Sequence, residues 1–313
     1  MKRFRKLCSL SLAILMCTFF NVGAVNSPST TENVPSLNTE AEIREFLFSS
    51  PDTVWRSEYD IVKDLQTQIT QNKCSEISDD AKEEIANLNY AERLCELQEK
   101  GEEFLRDNGY PEEQIDAIMD FDGSEAAIYR ASPSMASSLV ILDRSASNSQ
   151  RKFTAKYVFT WSGVPALSFT DCATILSECY YYVDNSGSST LYYRHPTVTD
   201  SYITNGKVVK MPKCFGHAAG VDIPLQQNRT INGASYPFHL STGSLEATFN
   251  NKNGVVQSEV VGSYAHQTVK VTATPSISIS VSKSGVSGAI LLDIKLENYL
   301  KEMTRKELTV SVS

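Results

Sequence analysis

Four histidines, His195, His217, His239 and His266, and the cysteines Cys74, Cys95, Cys172, Cys179 and Cys214 are the residues of this 313-residue chain best suited to nucleophilic or metal chemistry. Cys214-Phe215-Gly216-His217 sets a thiol beside an imidazole, a spacing that lowers a thiol pKa. The same pair can supply two zinc ligands, with His195, His239 or His266 to complete the set, but no spacing signature joins them. A turn with a buried cysteine and a surface histidine is the simpler reading. Glycosidase chemistry needs only two acids at a set distance, and Asp171, Glu178, Asp184, Asp200, Asp222, Glu246, Glu259 and Asp293 are candidates, with no spacing that selects a pair. Nucleophile elbow, zinc-protease helix, phosphate-binding loop and dinucleotide fingerprint are all missing. The chain therefore reads as noncatalytic and without a cofactor or bound metal, with a secreted hydrolase using a carboxylate pair as the enzymatic alternative.

Aromatic residues point to binding. Trp161, Tyr180, Tyr182 and Tyr192 offer flat faces on which the sugars of a glycan or cell wall would stack, since tyrosine combines an apolar ring with a polar tip. Tyrosine is also an ordinary strand residue, and packing explains the same clusters. Nucleic acid is a poor partner, because no basic stripe is present.

The elements that must position these residues fall into two regions of opposite charge. Lys2, Arg3, Arg5 and Lys6 precede an apolar run from Leu7 to Phe20, then Val22-Gly23-Ala24, the pattern of a secretory signal peptide over residues 1–24 with cleavage near Ala24. Residues 25–35 read as a disordered start of the mature chain. From Val25 to Gln150 there are 26 acidic against 10 basic residues, a net of −16; from Arg151 to Ser313 the count is 11 against 15, a net of +4. Residues 36–130 read as an acidic helical domain. Thr39 and Glu42 have capping-box spacing, Ser50-Pro51 opens a second helix with Val62, Leu65 and Ile69 in its apolar stripe, and Ser78 caps a third. A long charged helix stops at Asn108-Gly109, Pro111 starts another, and Ser124 caps the last. Residues 131–150 are serine-rich, a linker whose apolar island, Leu139 to Leu142, can form one strand. Arg144, Arg151 and Lys152 offer it to trypsin-like proteases.

From Phe153 the apolar period becomes two: Phe153, Ala155, Tyr157, Phe159 and Trp161 face one way, Thr154, Lys156 and Thr160 the other. Residues 151–313 read as an antiparallel β-sandwich of jelly-roll type, ending in a short helix over "ENYLKEMTRKEL". The predicted fold class is α+β. Near the end, "TPSISISVSKSGVSGAILLDIKL" alternates as a hairpin, with Ile277, Ile279 and Val281 before its turn and Ile290, Leu292 and Ile294 after it. Such a hairpin lines either a soluble core or a membrane, and Pro275 limits its first strand to about seven residues. Cys74 with Cys95 would staple two helices and Cys172 with Cys179 would close a short loop, leaving one thiol spare.

"FTWSGVPALSFTDC" at 159–172 and "SYAHQTVKVTATPSISISVSKSG" at 263–285 resemble the C-terminal β region of geobacillin-like secreted large bacteriocins of Gram-positive bacteria. That resemblance covers about half of the chain after the signal and carries no functional residues across. It implies a noncatalytic antibacterial acting at the envelope or membrane of other bacteria. It also implies that the acidic half serves as a pro-region, so that membrane contact follows only after the linker is cut. A glycan- or surface-binding module is the alternative.

Overall fold

The computed structural model describes residues 36–71, 79–147, 150–211, 216–252, 254–268, 277–283, 290–296 and 300–312. Six helices come first: α1 (Glu40–Ser49), α2 (Glu58–Thr70), α3 (Asp79–Asn87), α4 (Tyr90–Asp107), α5 (Glu112–Met119) and α6 (Glu125–Ala131), with strand β1 (Val54–Ser57) between α1 and α2. Local signals explain their ends. Thr39 and Glu42 close a reciprocal capping box on α1, Ser124 accepts from the Ala127 N–H at α6, and Gly109 at φ 82° lets the chain turn after α4. Helix α2 begins at Glu58 under a Ser57 cap rather than at Pro51, because residues 54–57 are drawn into a sheet by β2.

The strands follow as β2 (Ser134–Ala146), β3 (Arg151–Trp161), β4 (Thr170–Ser177), β5 (Tyr181–Tyr182), β6 (Ser188–His195), β7 (Val198–Asn205), β8 (Val209–Lys210), β9 (Ala218–Pro224), β10 (Gln226–Ile231), β11 (Ala234–Asn251), β12 (Gln257–Gln267), β13 (Ile277–Lys283), β14 (Ile290–Leu296) and β15 (Leu300–Ser311). One antiparallel sheet runs β1-β2-β3-β11-β6-β7, with β5 and β10 also paired to β11; a second runs β15-β12-β4-β9-β8. The protein is thus a β-rich α+β fold.

Phe153, Ala155, Tyr157, Phe159 and Trp161 of β3 all enter the main core, where they meet Ala173 and Ile175 of β4 and Val260 and Tyr264 of β12. Gly262 serves this packing: a Cβ there would collide with the Tyr157 ring. The opposite face of β3 was expected to meet solvent, but Lys156, Val158 and Thr160 are buried. Helix α1 covers it, with Leu37, Ile43 and Leu47 packed on Ala136, Val158 and Tyr192.

Three expectations need correction. The serine-rich segment is strand β2, paired to β1 on one side and β3 on the other; its small serines fit between packed layers, and Ser137 and Ser138 are buried. The expected C-terminal helix is strand β15, because β12 presents a ladder edge that pairs with it from Gln257 to Gln267. The helices also share their cores with the β region instead of closing on themselves: Ile61, Leu65 and Ile85 join the sandwich core, and the 164–167 segment joins the cluster of α2, α4, α5 and α6.

Candidate functional site

Among the described residues strands β13 and β14 pair with each other, as a two-stranded sheet apart from the two large ones. Their register sets Ile277 opposite Leu296, Ile279 opposite Ile294, Val281 opposite Leu292 and Lys283 opposite Ile290. Alternation along a strand then places these residues on one face. Ser278, Ser280, Ser282, Leu291, Asp293 and Lys295 share the other. The expected hairpin residues Ile277, Ile279, Val281, Ile290, Leu292 and Ile294 therefore fall on a single face by register.

In sequence the hairpin lies between β12 and β15, whose last pairs are His266 with Lys301 and Gln267 with Leu300. A buried ionic cluster holds this end of β12. His266 Nδ1 lies 3.0 Å from the Asp171 carboxylate, its Nε2 lies 3.2 Å from Glu58 Oε1, and all three side chains are fully buried. Asp171 also accepts from the Gln267 N–H at 3.0 Å and from the Tyr264 hydroxyl at 2.7 Å. Glu58 accepts from the Ala166 and Leu167 N–H groups at 2.9 Å and from the Tyr90 hydroxyl at 2.6 Å. Trp161 stands edge-on to His266 and donates its indole N–H to Tyr264.

Charge explains this arrangement. Burial alone would push the His266 pKa down, but the Asp171 and Glu58 carboxylates on its two sides raise it to about 10. Burial likewise pushes the Glu58 carboxyl up, and its hydrogen bond and attraction to His266, with the Tyr90 and Ala166 donors, bring it below the ordinary value. At neutral pH the cluster is an imidazolium between two carboxylates, each lone pair and proton committed. With the three side chains fully buried and saturated, the group has no open position for a substrate; it clamps the start of α2, β4 and the end of β12 together.

Other candidates are placed as follows. Trp161, Tyr180, Tyr182 and Tyr192 are all buried and form no stacking face at the surface. Their rings fill the space between layers and their polar tips are consumed internally, as where the Tyr180 hydroxyl donates to the Val255 carbonyl and that of Tyr192 to the Asn38 carbonyl. Cys172 and Cys179 are both free. Cys172 is the third residue of β4 and Cys179 lies two residues past its end, so the five extended steps from 172 to 177 alone span roughly 16 Å, and no bridge can join them. Cys95 is free and exposed; Cys74 and Cys214 lie outside the described residues. Among the described residues no group of three or more histidine, cysteine, aspartate or glutamate side chains is arranged to hold a metal ion, and no helix is long and apolar enough to cross a membrane, which leaves strands out of account.

Glu58 was not among the sequence candidates. An acid in the first turn of a helix is favourable for the backbone dipole alone, so nothing local marks it as the partner of a histidine in another layer.

No protein-family model and no curated protein matches this chain. Among solved structures it is similar to the collagen-binding domain from a Staphylococcus aureus adhesin, at 9% identity over 54% of this chain and 94% of that chain, with a TM-score of 0.24. A structure described as a pore forming protein matches at 8% identity over 57% and 80%, TM-score 0.20. Clostridium perfringens delta-toxin matches at 7% identity over 57% and 83%, TM-score 0.19. At such TM-scores these likenesses carry no argument about what this chain does.

Proposed function

We propose that this chain is an exported, noncatalytic protein that binds a lipid surface through the β13–β14 hairpin. One observation carries the reading: among the described residues the hairpin is paired with neither large sheet, and its register collects Ile277, Ile279, Val281, Leu292, Ile294 and Leu296 on one face. Strands of seven residues reach about 23 Å, less than the roughly 30 Å hydrocarbon core. A lone pair of strands also leaves ladder edges that hydrocarbon cannot satisfy. Both arguments favour a hairpin lying in the interface, aliphatic face toward the acyl chains and serine face toward water. The resemblance of 159–172 and 263–285 to geobacillin-like bacteriocins supports placing that surface on a target bacterium, with killing as the outcome of binding.

Co-sedimentation of the chain from Val25 with vesicles of phosphatidylglycerol and phosphatidylcholine tests this. Ile279→Asp or Ile294→Asp removes about 1.5–3 kcal/mol of apolar burial and should weaken binding by at least about tenfold. Binding unchanged by both substitutions would remove the hairpin from the contact. Release of an encapsulated dye would instead mean that several chains pair their hairpin edges and cross the bilayer.

A further inference from the structure

Lys156, near the middle of β3, is only 6% exposed. Its cross-strand neighbours are Val140 of β2 and Glu246 of β11. Nζ lies 3.7 Å from Glu246 Oε2 and donates to Asn38 Oδ1 at 3.4 Å. An amine, a primary carboxamide and a carboxylate thus meet on the face of the sheet that α1 covers.

Asn38 is fixed through its backbone on both sides. Its N–H donates to Glu42 Oε2 at 2.8 Å, an extension of the α1 capping box, and its carbonyl accepts from the Tyr192 hydroxyl at 2.7 Å. Leu37, directly before it, is buried against Val158 and Tyr192. Lys156 is fixed as firmly, on a strand paired along both edges. Two groups 118 positions apart are therefore held together before any reaction, which removes most of the entropic cost of bringing them together.

An amine and a primary carboxamide can exchange to a secondary amide and ammonia without an oxidant, a metal or a cofactor. The amine must shed protons to attack, and the leaving nitrogen must gain one; a carboxylate beside both carries that transfer. Asn38 Cγ is one bond from Oδ1, so Nζ stands within about 4.6 Å of it. Rotation about the lysine stem closes this to the roughly 3–3.5 Å of a reactive approach.

We infer that Lys156 and Asn38 condense with each other to form an intramolecular isopeptide bond. The ammonium gives one proton to water; as Nζ attacks Cγ, its next proton passes through Glu246 to Nδ2, the Cγ–Nδ2 bond breaks and ammonia leaves. The product ties the residue ahead of α1 to the centre of the first sheet and closes a loop around all six helices. It needs nothing of the hairpin. In the uncondensed chain, fragments cut at Arg144 part in denaturant; after condensation they stay joined.

Intact mass of the chain from Val25, followed overnight at neutral pH after folding, tests this. Condensation lowers the mass by about 17 Da, the mass of ammonia, and tryptic digestion should yield a branched peptide joining residues 25–44 to the strand bearing Lys156. Asn38→Ala, at an exposed position, and Lys156→Arg should keep the full mass. Glu246→Gln should slow the loss by about a hundredfold, and the chain held in urea should show no branched peptide. A full mass after overnight folding would overturn the inference. So would a loss that maps to a single unbranched peptide, as a succinimide at Asn232-Gly233 would, or one that persists in Asn38→Ala.

Discussion

Glu58 and His266 are 208 positions apart in the chain, yet Glu58 Oε1 lies 3.2 Å from His266 Nε2 with both side chains fully buried. The pair links the first residue of α2 to the end of β12. Asp171 holds the other side of the imidazole and the Gln267 N–H beyond it. Loss of this contact therefore loosens the helical region and the end of β12 together.

Removing one partner should be costly. Glu58→Ala leaves His266 with a single carboxylate and strips two backbone N–H groups of their acceptor, a change expected to cost about 3–5 kcal/mol in urea unfolding. A double-mutant cycle with His266→Leu should return a coupling energy above about 1 kcal/mol. Additive losses would show that the two residues act separately.

Stability should peak near pH 6.5, where two histidines pull in opposite directions. The His266 pKa is raised from 6.5 to about 10, so its contribution is complete below 6.5 and is lost as pH rises through 10. The His239 pKa is lowered to about 4, so the unfolded chain takes up a proton first and stability falls as pH drops from 6.5 toward 4. Glu58, held below its ordinary 4.5, adds to the loss at the acidic end. Thermal unfolding across this range checks the shape, and His266→Gln should flatten the alkaline limb alone. An alkaline slope that survives in that variant would mean another group produces it.

Proteolysis should nick the chain without separating its halves. Arg144 is exposed near the end of β2, but β2 remains paired to β1 and β3. Glu58 is anchored among Ala166, Leu167 and His266. After trypsin cleavage at Arg144 the two fragments should co-elute in native size exclusion and part only in denaturant. Early release of the acidic fragment would support the reading of a pro-region.

Thiol chemistry should follow burial. Iodoacetamide should modify exposed Cys95 first, whereas Cys172, fully buried with its pKa pushed well up by desolvation and by Asp222, should react only on unfolding. Mass spectrometry of the alkylated chain reads the order. A tryptic peptide containing a Cys172–Cys179 disulfide would contradict the extended β4.

What the sequence determined by itself is local. Thr39 with Glu42, Gly109 after α4 and Ser124 before α6 act within a few residues, and each marks the helix end it predicts. The alternation of β3 and of the terminal hairpin was legible for the same reason, since side-chain period follows from the backbone alone. Tertiary structure decided what each face meets. Lys156 and Thr160 read as the opposite face of a half-buried strand until α1 covers them, "ENYLKEMTRKEL" reads as helix until β12 offers an edge, and Glu58 reads as an ordinary helix-start acid and His266 and Asp171 as candidates without partners until three layers enclose them. Partner identity and local dielectric come from residues a hundred or more positions away, and a charge that is unremarkable in water acquires its role only where the fold removes the water.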